Sequence, residues 1–111
     1  TAGKERVLYS FGQGSGDDGA YPNSHLTNLN GVLYGTTSGG GLDRCGSSTS
    51  HSPCGTVFSV TTTGTEDVLY RYRGGKNGSL ADALIQHDGT LYGTTPDGGQ
   101  YGQGTVFALT P

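Results

Sequence analysis

GVLYGTT, residues 31–37, has the apolar and aromatic content of a β-strand but carries a glycine, Gly35, at its centre. The run returns as GTLYGTT at residues 89–95, with Gly93 in the same place. Two neighbouring runs return with it. VLYSF (residues 7–11) is answered by VLYRY (68–72), and GTVFSVT (55–61) by GTVFALT (104–110). The offsets are 61, 58 and 49 residues, shrinking because the first copy has the longer loops. A unit that recurs in order while its connections vary reads as one supersecondary structure used twice. The chain is thus expected to be a single domain of two tandem repeats, about residues 5–64 and 65–111.

Each run alternates with a period of two, as in Val7, Tyr9 and Phe11 against Leu8 and Ser10. β-Branched and aromatic residues dominate, as strands prefer. A further strand precedes each LYGTT. HLTNL runs into Asn30-Gly31 and ALIQH into Asp88-Gly89, and both dipeptides supply the two positive-φ residues of a tight hairpin turn. No stretch holds a 3.6-residue period, so almost no helix is expected. A glycine inside a strand is costly unless another chain segment comes close. Leu33 faces one side of its strand, while Val32 and Tyr34 face the other. That pattern predicts antiparallel sheets covered on both faces.

Leu, Ile, Val and Phe make up only 18% of the 111 residues. A net charge of −3 and seven tyrosines still favour a folded chain with a thin core. Six Lys and Arg residues in no stripe exclude a nucleic-acid surface. No apolar run approaches membrane-spanning length. The opening TAGKER has neither an initiator Met nor a signal-peptide pattern, which reads as a processed, mature chain.

Taken together, LYGTT…GG…GTVF…LYxF/Y…DGxLYGTT…GG…GTVF resembles the tandem repeat of Gloeobacter and Verrucomicrobia known as the GloVer repeat. The likeness runs from about Val7 to Thr110. It implies an extracellular or surface-displayed protein with a propeller-like fold and no catalytic residues. Members of this kind usually carry many copies and an anchoring segment, whereas two copies stand here.

The fold expected is therefore all-β, with two propeller-like four-stranded antiparallel units completed by neighbouring subunits. Consecutive strands fill one such unit once, leaving residues 7–11 at one end and GTVFALT at the other. An unpaired strand edge recruits another strand. Val7, Tyr9 and Phe11 of one copy are expected to pair with Val106, Phe107 and Leu109 of the next, head to tail, in a ring or a filament.

Other residues bear on chemistry. Cys45 and Cys54 flank a polar loop and are expected to form a disulfide; with His51 they still lack two ligands for zinc. His25, His51 and His87 occupy no matching repeat positions. GQGSG at residues 12–16 precedes no helix and is neither a phosphate loop nor a nucleophile elbow. Asp17, Asp18 and Asn23 offer oxygen ligands for calcium, but the EF-hand spacing is absent and the second copy puts Lys76 there. No metal or other cofactor is expected. Asn77 begins a glycosylation sequon. Tyr21, Tyr34, Tyr92 and Tyr101 are candidate sugar-stacking platforms, which makes carbohydrate the alternative partner and a multivalent lectin the alternative function. A third alternative is a piece of a longer surface repeat protein. No acid–base pair converges, so an enzyme is not expected.

Overall fold

The computed structural model describes residues 3–12, 18–41, 54–73 and 81–111. Among them lie eight strands and no helix: β1 (Ala20–Pro22), β2 (Thr27–Leu29), β3 (Val32–Gly39), β4 (Thr56–Val60), β5 (Glu66–Arg71), β6 (Leu84–His87), β7 (Thr90–Thr95) and β8 (Thr105–Leu109). They build two antiparallel sheets, neither closed on itself. The first runs β1-β3-β4-β5, with β2 also on β3; the second runs β6-β7-β8. β2 pairs with the first part of β3, Thr27 opposite Tyr34, and β1 with the last part, Pro22 opposite Thr37. β5 zips onto β4, so the first sheet extends past the expected repeat boundary at residue 64.

The repeated runs share one register. Leu33–Val60, Tyr34–Ser59, Gly35–Phe58, Thr36–Val57 and Thr37–Thr56 face each other in the first sheet. Leu91–Leu109, Tyr92–Ala108, Gly93–Phe107, Thr94–Val106 and Thr95–Thr105 do so in the second. Both hairpin turns take positive φ at each central residue, Asn30 (54°) with Gly31 (86°) and Asp88 (50°) with Gly89 (81°). Gly31 N also donates to Asn28 Oδ1 at 2.9 Å, bracing the first turn.

The mid-strand glycine makes room for an aromatic ring. A Cβ on Gly35 would lie 2.9 Å from Phe58 Cζ, and one on Gly93 would lie 2.6 Å from Phe107 Cζ. Each phenylalanine therefore lies over the glycine opposite it in the ladder, replacing the packing that the glycine lacks.

A threonine pair clamps the far end of each β3–β4-type ladder. Thr37 Oγ1 donates to Gly39 O at 2.9 Å and accepts from Thr56 N at 3.0 Å. It lies 2.8 Å from Thr56 Oγ1. Thr95 repeats this with Asp97 O (2.9 Å), Thr105 N (3.1 Å) and Thr105 Oγ1 (2.7 Å).

The core lies between the sheets. Tyr34 and Val57 of the first sheet meet Leu84 and Leu91 of the second, with Val32, Phe107 and Leu109 at the margin. Thr27 Oγ1 donates across the interface to Leu84 O. So the Tyr34 face of the first sheet packs on the Leu91 face of the second. The Leu33–Phe58 face of the first and the Tyr92–Val106 face of the second point outward.

Residues 7–11, expected as a strand completed by another copy, form no strand within the single chain. They belong to neither sheet. A ladder needs a neighbour, and among the described residues no strand pairs with them. They rest instead against the outward face of the first sheet.

Candidate functional site

Among the described residues β8 pairs with β7 alone, so its outer edge presents backbone N–H and C=O groups that no other described strand takes up. Beside that edge runs a groove of about 360 Å³ lined by Tyr70, Tyr72, Phe107 and Leu109 among others. Its floor is aromatic. Tyr70 and Tyr72 meet edge to face with centroids 4.9 Å apart, and Tyr72 meets Phe107 the same way at 5.6 Å. Tyr72 is 2% exposed, and burial, with Tyr70 adding to it, pushes its phenol pKa well above the ordinary value.

The amino-terminal segment repeats this arrangement one sheet earlier. Tyr9 meets Phe11 edge to face at 5.0 Å, and Phe11 meets Phe58 at 5.0 Å. By the repeat offsets, Tyr9, Phe11 and Phe58 are the counterparts of Tyr70, Tyr72 and Phe107. Residues 7–11 thus stand against the first sheet as β5 stands against the second.

Three further contacts hold the segment. Arg6 Nη2 donates to Thr62 O at 3.2 Å. Tyr9 Oη donates to Asp18 Oδ2, which also accepts from Gly12 N at 3.3 Å. Gly64, at φ 98°, passes so close that a Cβ would lie 2.7 Å from Leu8 O. The Asp18 bond, chiefly, holds the Tyr9 phenol up at about 12. Nearby, Glu66 is pushed up to about 7, first by burial and then by the Asp18 and Asp67 carboxylates, with Arg71 opposing. Asp18 Oδ1 and Glu66 Oε2 are both buried with no hydrogen-bond partner among the described residues.

The expected site residues fall in several places. Val106 is 80% exposed on β8, whereas Phe107 and Leu109 turn toward the first sheet. Among the candidate sugar platforms, Tyr21 and Tyr101 are 77% and 84% exposed and Tyr92 is half-buried. Tyr34 is corrected: at 7% exposure its ring is part of the core and offers no face to a sugar. Cys54 is fully buried and is not a free thiol, while Cys45 lies outside the described residues. Asn77, His51, Asp17 and Lys76 also lie outside them. His25 and His87 are both exposed, and His87 Nε2 lies 3.4 Å from Asp88 Oδ2. Among the described residues no three His, Cys, Asp or Glu side chains gather as metal ligands, and no helix is long and apolar enough to cross a membrane.

Two residues with exposed apolar side chains were not singled out in the sequence: Leu26, 52% exposed, and Ile85, 66% exposed. The repeat alignment contained the signal, since Leu26 matches Leu84 and Ile85 matches Thr27. Which face of each sheet would be covered was not written there. No family model, curated protein or solved structure matches the chain, so the geometry of this edge and its aromatic groove is what speaks for its role.

Proposed function

We propose that the chain is a non-catalytic β-repeat protein that assembles with copies of itself, head to tail, through strand completion. Its two sheets act as propeller-like blades. Residues 7–11 of one copy become the fourth strand of the second blade of the next. The observation that carries this is the matched pair of aromatic stacks: residues 7–11 are already held where a fourth strand would stand, outside both described sheets of their own chain.

The β4–β5 ladder supplies the register. There Thr56 faces Arg71, Val57 faces Tyr70, Phe58 faces Val68, Ser59 faces Asp67 and Val60 faces Glu66, with a bulge after Val57. Carried by the repeat offsets, Thr105 faces Ser10, Val106 faces Tyr9, Phe107 faces Val7, Ala108 faces Arg6 and Leu109 faces Glu5 of the neighbour. The bulge falls at Leu8. A structural or adhesive role at a cell surface fits such a product. Negative-stain microscopy and sedimentation velocity on the chain, and on a version lacking residues 1–11, test the reading. Filaments or rings that vanish with the deletion support it; a dispersed monomer at every concentration overturns it.

The exposed rings of Tyr21 and Tyr101 favour a second reading, a glycan-binding protein. Binding on a glycan array that Tyr21→Ala and Tyr101→Ala abolish would support it, and an array without hits would end it. Should intact mass of native material exceed that of these 111 residues, the same strand edges would serve a longer repeat protein.

A further inference from the structure

We infer that the outward face of the second sheet is a docking surface for the outward face of the first sheet of another copy. This rests on the head-to-tail reading above but concerns side-chain faces, not the strand edge.

The two sheets carry equivalent residues with inverted burial. On the Tyr34 face, Val57 is 0% exposed; its counterpart Val106 is 80% exposed. Thr36 is fully buried, whereas its counterpart Thr94 is exposed. Thr27 is half-buried, but Ile85, in its place, is 66% exposed. On the other face the inversion runs in the opposite sense. Leu84 is 3% exposed and its counterpart Leu26 is 52% exposed; Leu91 is 0% exposed and Leu33 only half-buried. These differences have one cause: the first sheet has a neighbour on its Tyr34 face, and the second has one on its Leu91 face. Phe58 (4% exposed) and Val60 (6%) depart from the pattern, because residues 7–11 lie over that part of the first sheet's outward face.

The two outward faces, the first of them covered in part by residues 7–11, therefore match, because the chain already contains their contact. Leu26, Leu33, Phe58 and Val60 reproduce Leu84, Leu91, Phe107 and Leu109, which the first sheet covers. Ile85, Tyr92, Thr94, Val106 and Ala108 reproduce Thr27, Tyr34, Thr36, Val57 and Ser59, and are more apolar. A hollow of about 300 Å³ on the first sheet, lined by Phe11, Leu26, Phe58 and Val60 among others, is positioned for the neighbour's Val106 and Tyr92. One departure stands at the margin, where His87 replaces Leu29. The occupant is a second copy, since a face that repeats a buried face of the same chain fits that chain's own complement.

Ile85→Lys and Leu26→Lys test this by sedimentation velocity. Both side chains are more than half exposed, so each variant keeps its fold, as circular dichroism would check; Ile85→Ser and Leu26→Ser replace any that does not. A buried ammonium should weaken association about 100-fold or more, leaving each variant monomeric where the wild type assembles. Mixed, the two variants retain one intact pair of faces between them. They should form a 1:1 dimer and grow no further. An Ile85→Lys variant that assembles like the wild type, or a mixture that stays monomeric, overturns the docking faces. In the first case strand completion through β8 survives. A wild type that never assembles overturns both.

Discussion

Replacing Thr37 by valine should cost more than replacing Thr56, although the two hydroxyls touch. A threonine hydroxyl has one proton, and that of Thr37 goes to Gly39 O. Its lone pairs then receive Thr56 N–H and the Thr56 hydroxyl proton. Thr37→Val, nearly isosteric, removes all three bonds and leaves the buried Thr56 N–H without a partner. An orphaned buried donor costs about 1–3 kcal/mol, and each of the two further bonds about 1 kcal/mol, so the loss should be roughly 3 to 5 kcal/mol. Thr56→Val removes only the bond that Thr56 donates, about 1 kcal/mol. At about 4 °C per kcal/mol for a domain of this size, Tm should fall by roughly 12–20 °C and about 4 °C respectively. Urea unfolding followed by circular dichroism measures both, on the Ile85→Lys background so that association does not contribute. Thr95→Val and Thr105→Val should rank the same way. Equal losses, or a larger one for Thr56→Val, would refute the assignment of the proton and with it the clamp.

Gly104→Ala and Gly89→Ala place a side chain at φ 108° and 81°. Gly89 has open space around it and should lose about 1 kcal/mol, whereas a Cβ on Gly104 meets Thr95 O at 2.5 Å and must move backbone, so its loss should be several-fold larger in the same unfolding assay. The folded-state pKa of Glu66, about 7, lies above its ordinary 4.5. Stability from the protonated form is therefore full below about pH 4.5 and is lost as pH rises through 7; Tm should fall between pH 5 and 8, and Glu66→Gln should flatten that slope. If Cys54 is joined to Cys45, closing so short a loop contributes about 2–3 kcal/mol. Dithiothreitol should then lower Tm by roughly 10 °C, and a melt that ignores the reductant excludes the bridge.

Strands β3, β4, β7 and β8 were legible in the sequence because alternation, β-branching and the Asn30-Gly31 and Asp88-Gly89 turns all point the same way. Gly35 and Gly93 announced a close approach, and the structure identifies the visitor as the ring of Phe58 or Phe107. β1 was not legible: Ala20, Tyr21 and Pro22 show no alternation, and Tyr21 takes φ 56°. Residues 7–11 stand in neither sheet of the single chain for a different reason. Their local pattern is right, but a ladder is a property of two segments, and sequence pattern reports only one. The candidate edge at β8 was legible from strand order alone, whereas the outward faces depend on which sheet covers which, a tertiary fact. The threonine clamp lay in plain view as two Thr residues at repeated positions. Only the hydrogen bonds distinguish Thr37 and Thr95 as hubs from Thr36 and Thr94 beside them.

The clamp also bears on what the connections between strands are free to become. Residues 40–55 join β3 to β4 and residues 96–104 join β7 to β8, yet the paired threonines and the registers behind them are the same. The hydroxyl pair ties off the ladder before the chain departs, so length and composition beyond that knot do not propagate into the sheets. Foreign peptides inserted there would be carried on a scaffold indifferent to them, and natural variants could exchange that segment as a cassette.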